Sequence, residues 1–126
     1  MITLSSLMKL LKNVYSIRGM SFDDSYIHEV EKYYDLISAS PKTRDLDQRD
    51  RIFVISVVSE KALTIARKRH SSVIDADLFK ETLQGYKGPF RRPDDKCEEA
   101  AMEIYRNRKL YAKKLSKEVR NFFQAT

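Results

Sequence analysis

Glycine and proline are scarce in this chain, three of each among 126 residues, and tryptophan is absent. None of them falls between Pro41 and Gly85, so no local breaker interrupts a helix across that interval. A lone cysteine, Cys97, excludes an internal disulfide and suits a reducing, intracellular compartment. Acidic Glu98 and Glu99 beside it would raise its thiol pKa, which makes it a packing residue rather than a nucleophile. No apolar run approaches the roughly eighteen residues that a membrane span needs. There is no GxxxxGK[ST] loop, and hence no cradle for a triphosphate. Acids are missing from the first twenty residues, which carry Lys9, Lys12 and Arg18. Leucines at helical spacing mark that start as an amphipathic helix rather than a targeting presequence.

What the chain does have is concentrated between Asp47 and Leu83. Ile52, Ile55, Ala62 and Ala66 share one helical face, and Val54, Val58 and Ile65 line the next. Apolar residues therefore nearly encircle this helix, and a helix of that kind is central. The run IFVISVV is also strand-like by itself. Its unbroken continuation into SEKALTIARKR, rich in helix formers, and a capping Asp47 decide for helix. After Arg69 the chain steps through an extended His70–Ile74. Asp75 then caps a short helix with Asp77 in its first turn, Ile74 and Phe79 as a hydrophobic staple, and Leu78, Phe79, Thr82 and Leu83 inward. Gly85 ends it.

The remaining segments pack onto this unit. Leu4, Leu7, Met8, Leu11, Val14 and Tyr15 form the stripe of a first helix, Thr3 to Ile17, closed by Gly19. Ser21 is expected to cap a second helix, with Asp23 and Asp24 in its first turn and Phe22, Tyr26, Val30, Tyr33, Tyr34 and Ile37 inward. His28 lies off that face and lacks the company a metal or catalytic site would need. Residues 38–44 form a loop stopped by Pro41, and GYKGPFRRP over residues 85–93 is the best linker. Asp94 or Asp95 would cap a last helix running to about Phe123, with Ala101, Ile104, Tyr111, Leu115, Val119 and Phe122 on one side. Arg106, Arg108, Lys109, Lys113, Lys114, Lys117 and Arg120 crowd its other faces. The expected fold is thus all-α, one domain of five helices: an N-terminal helix within residues 1–19, a core of residues 21–85 and a C-terminal helix over residues 94–123. No sequence repeat is visible. The net charge of +6 suits an anionic partner, although residues 21–40 are net negative.

The order medium helix, basic loop, long central helix, extended loop and short helix resembles the histone fold. The segment ARKRHSSVIDADLFKETL carries most of the likeness, with Ser72 and Val73 in the place of a Thr-Val pair, Asp77 on the short helix and apolar Leu78 after it. In that family a loop arginine clamps the aspartate; this chain has His70 at that offset and Arg69 one residue earlier. EKYYDLI, TRDLDQRD and VVSEKALTIA also look like the helical lid of AAA+ ATPases, minichromosome-maintenance helicases especially. In the lid likeness, Arg44 or Arg49 would stand near an arginine that reaches a neighbouring nucleotide.

The function expected from these observations is not catalytic. Ser71 and Ser72 lie beside His70, but no orienting acid or oxyanion loop accompanies them, and metal ligands are too few. No cofactor is implied. The histone resemblance implies an architectural or adaptor protein that pairs head to tail with a helical partner, homo- or heterodimeric, in a nucleic-acid assembly. Ile52, Ile55, Val58, Ala62 and Ile65 would then form the partner interface. The pairing would bring Lys42, Thr43 and Arg44 of one loop beside Lys68, Arg69 and Ser71 of the other as an edge facing the phosphates of double-stranded DNA. The alternative is a protein-only scaffold subunit or a lid-like interaction domain of a larger complex.

Overall fold

Four helices start where a short polar side chain, Thr3, Asp47, Asp75 or Ser116, replaces a missing backbone partner. The computed structural model describes residues 2–86 and 95–125, with the backbone alone for residues 95–97. Helix α1, Leu4–Ile17, opens on a reciprocal cap in which Thr3 and Ser6 satisfy each other's backbone N–H groups. Helix α2 spans Asp24–Ala39 and α3 Gln48–Lys68, the latter capped by Asp47, whose carboxylate accepts from the Asp50 N–H at 2.8 Å. Helix α4, Ala76–Gln84, is capped by Asp75 through the Leu78 N–H at 3.0 Å. Helices α5, Asp95–Arg106, α6, Arg108–Lys114, and α7, Lys117–Gln124, complete the bundle.

The class is all-α, with lengths of 16, 21 and 9 residues for α2, α3 and α4 in the expected order of medium, long and short. Seven helices stand among the described residues where five were expected. The excess lies in the C-terminal segment, which breaks twice. At Asn107 the side-chain amide turns back to the Glu103 carbonyl at 2.9 Å. At Leu115 the backbone becomes extended, and Ser116 caps a new helix by accepting from Val119 N–H at 3.4 Å. The second break shifts the helical phase, so Phe123 takes the buried place expected of Phe122. Most of the expected linker, residues 87–93, the expected cap Asp94 and the side chains of Asp95 and Cys97 lie outside the described residues.

A second difference concerns Ser21. It does not cap α2, a position held by Asp23. Instead Ser21–Phe22 forms a strand, β1, that pairs in parallel with β2, Val73–Ile74. Its hydrogen bonds, Ser21 N–H to Ser72 O and Asp23 N–H to Ile74 O, are both 2.9 Å. The two halves of the core thereby repeat one design, helix, left-handed turn, strand, Asp cap, helix, with Gly19 and His70 in the turns. The amino-acid order conceals this repeat.

The core gathers around α3, against which α1, α2, α4 and α5 pack. A run of rings from Tyr15 through Phe22, Tyr26 and Phe79 to Tyr33 joins α1, β1, α2 and α4, with successive centroids 4.8 to 5.6 Å apart. Ile74 and Phe79, the expected staple, both belong to this core.

Candidate functional site

Four of the five expected partner-interface residues, Ile52, Ile55, Val58 and Ala62, have no exposed surface in the single chain, and Ile65 is half-buried. The apolar girth that asked for a second molecule is closed by the chain's own α1, α2, α4 and α5. The expected interface is therefore corrected to an internal one, because the N- and C-terminal helices fold onto it.

The expected phosphate-facing residues divide between the two ends of α3, about 30 Å apart at the rise of a 21-residue helix. At one end Lys42 pairs with Glu99 at 2.9 Å and Arg44 is exposed. Thr43 is fully buried and donates its hydroxyl to the Ile37 carbonyl at 2.6 Å, a bond that locks the loop and leaves nothing for a ligand. At the other end Lys68 and Ser71 are exposed, and Ser71 Oγ donates to its own turn at Val73 O, 2.9 Å. Arg69 pairs through both terminal nitrogens with Glu81 rather than with Asp77, one of these bonds being 2.9 Å. That pairing raises the arginine's pKa and lowers the glutamate's. Arg49 is likewise engaged: it donates to the Phe123 carbonyl and lies over that ring at 5.7 Å.

Among the described residues the densest run of exposed cations is elsewhere. Residues 106–120 carry seven cations, Arg106, Arg108, Lys109, Lys113, Lys114, Lys117 and Arg120, against one acid, Glu118. All seven are exposed. The two breaks place them. Ser116, besides capping α7, donates its hydroxyl to Glu60 of α3 at 2.6 Å, anchoring the bend against the core. Val119 and Phe123 then bury α7's apolar side, Phe123 meeting Phe53 edge-on at 5.8 Å. The result is a groove of about 350 Å³ between the first turns of α3 and the α6–α7 bend, with Phe53, Ala112, Leu115 and Phe123 as floor and Arg49, Arg108, Lys109 and Arg120 as rim. Asp50 is the acid of this groove. Burial chiefly, then the neighbouring Asp47, raises its pKa, opposed by Arg108 and Arg49.

A second cleft of about 480 Å³ lies on the far side of α6, lined by both acids and bases, including Glu60, Lys61, Glu103 and Lys114. Its charges are mixed, and Tyr86 and Tyr111 meet edge-on within it at 5.8 Å. Among the described residues no group of His, Cys, Asp and Glu is placed to hold a metal ion, and no helix is long and apolar enough to cross a membrane.

The groove was not legible beforehand, although every cation in residues 106–120 was. The only local hint was Ser116, a capping residue inside an apparently continuous stripe. No protein-family model, no curated protein and no solved structure matches the chain.

Proposed function

We propose that the chain is a non-enzymatic adaptor module that holds nucleic acid by its phosphates within a larger assembly. The observation that carries this reading is the exposed set of seven cations on residues 106–120, accompanied by one acid. Phosphate neutralisation by such a surface releases counterions, a driving force that needs no sequence recognition. Arg44 and Lys68 extend the positive field at the two ends of α3, while pairing with a helical partner through α3 is left out, since that helix is already covered. A protein-only scaffold is the second reading. It is favoured by the outer face of α2, where Asp24, Glu31 and Asp35 are exposed with one cation, Lys32, beside Leu36, a net acidic face suited to a basic protein surface.

The test is fluorescence anisotropy of a labelled DNA duplex across a salt series. Binding that weakens steeply with salt, and a shallower slope in Lys113→Glu/Lys117→Glu, supports the phosphate reading. No binding of the duplex or of a single strand at low salt removes it in favour of the scaffold. Lys68→Glu/Arg69→Glu serves as comparison, and a smaller loss is expected there, because Arg69 is already paired.

A further inference from the structure

The groove beneath α6 and α7 differs from a plain basic surface in having an apolar floor. Phosphate contact alone gives half-buried Phe53 no role at the surface, for a duplex presents its phosphates outward and keeps its bases stacked inside. Resting on the phosphate reading above, we infer that this groove is a subsite for single-stranded nucleic acid, taking one unstacked base against its floor while Arg108, Lys109 and Arg120 hold the flanking phosphates.

Three features favour this occupant over an acidic peptide. The groove volume, about 350 Å³, is of the size at which small-molecule sites begin, enough for a single nucleoside unit. Its rim is flat as well as charged: the Arg108 guanidinium lies over the Tyr105 ring at 4.6 Å, and a guanidinium so stacked offers a plane on which a further ring can lie. Further exposed cations neighbour the groove residues in the chain, Arg106 before Arg108 and Lys113 and Lys117 between Lys109 and Arg120, and are available to further phosphates of a strand. Flat platforms interleaved with cations are the general means of binding single strands without sequence preference.

Arg108 is held in place without being consumed. One of its terminal nitrogens donates to the Tyr105 carbonyl at 3.0 Å, which fixes the guanidinium over the ring. Among the described residues Lys109 and Arg120 have no ion pair. Asp50 works against an anion here, and its presence sets a limit on affinity rather than on the geometry.

The deciding experiment compares three labelled probes by anisotropy at low salt: an oligothymidylate, an abasic strand of equal length, and a duplex. The intact chain is expected to bind the oligothymidylate on the order of tenfold more tightly than the abasic strand, the effect of one stacked base. Ala112→Phe, which fills the floor without altering charge, is expected to abolish that preference. Circular dichroism checks its fold, and if it does not fold, the comparison of probes on the unaltered chain decides alone. Equal binding of thymidylate and abasic strands overturns the base subsite and leaves phosphate binding standing. Competition by polyglutamate as effective as by oligothymidylate also overturns it, in favour of an acidic peptide. If none of the three probes binds, the phosphate reading itself falls, and the subsite with it.

Discussion

His70 and Gly19 occupy the same position in two helix ends, and only one of them is glycine. Both backbones are left-handed, with φ of 56° at His70 and 74° at Gly19. In each turn the next residue's N–H closes back onto the last helical turn, Ser71 to Ala66 O at 2.9 Å and Met20 to Tyr15 O at 2.8 Å. A side chain is strained in that conformation, so His70→Gly is expected to raise stability by about 0.5–1 kcal/mol in thermal unfolding. Gly19→Ala is expected to lower it by about 1 kcal/mol, although nothing lies within 4 Å of the added methyl. The dihedral angle, not space, sets the sign.

Two buried phenols make a second contrast. Tyr26 donates to Ser59 Oγ at 2.7 Å, whereas the Tyr15 hydroxyl has no partner among the described residues. Tyr26→Phe orphans Ser59 and is expected to cost about 1–2 kcal/mol, while Tyr15→Phe removes an orphan and is expected to be neutral or stabilising. Denaturant titration of both variants checks the pair, and equal losses would defeat the argument. Burial raises both phenol pKa values. Raised in the folded state, they favour folding fully below the ordinary phenol pKa of about 10 and withdraw that contribution as pH rises above it.

At the scale of elements, α3 decides between two kinds of molecule. Were its apolar girth a partner surface, Ile55→Asp would dissociate a dimer and leave the helices intact. With Ile55 fully buried in the single chain, the same substitution is expected to cost several kcal/mol and abolish helical ellipticity together with the compact elution volume. A helical monomer surviving Ile55→Asp would restore the partner interface. The position of α7 rests on Ser116, whose hydroxyl caps α7 and reaches Glu60; Ser116→Ala is expected to cost about 1–2 kcal/mol. These elements differ in how legible they were. Asp47, Asp75 and Gly85 act within a turn of their own position, so caps and stripes could be read directly. Ser116 breaks the last helix with help from a carboxylate 56 residues away, and β1 finds β2 about fifty residues later with two residues apiece, too few to show a period. The groove has walls from the middle and from the C-terminal part of the chain, Phe53 and Phe123 among them. Such long-range juxtaposition leaves no trace in local pattern.

Over the whole molecule charge is divided, with acids on the outer face of α2 and cations over α6 and α7, and Asp50 is the acid placed among the cations of the groove. Its effect can be isolated by Asp50→Asn, which keeps the shape and gives Asp47 a donor in place of a second carboxylate. The pKa of Asp50 is raised, by burial first and by Asp47 second. A carboxyl raised in the folded state favours folding below its unfolded pKa, and that contribution is lost as pH rises through the folded one. Near pH 7 the ionised group is therefore a liability, and Asp50→Asn is expected to unfold at a higher temperature than the unaltered chain. Below the usual carboxylate range, at about pH 3, the advantage should disappear, because the unaltered side chain is then neutral as well. The same substitution is expected to tighten binding of an anionic strand about threefold at low salt, the effect of one screened charge, and less as salt is added. Lower stability at pH 7 would mean that attraction to Arg49 and Arg108 outweighs burial and Asp47. Unchanged affinity beside a raised melting temperature would separate the groove from the phosphate surface, since a strand bound only along the outer faces of α6 and α7 has no reason to register a charge inside the groove.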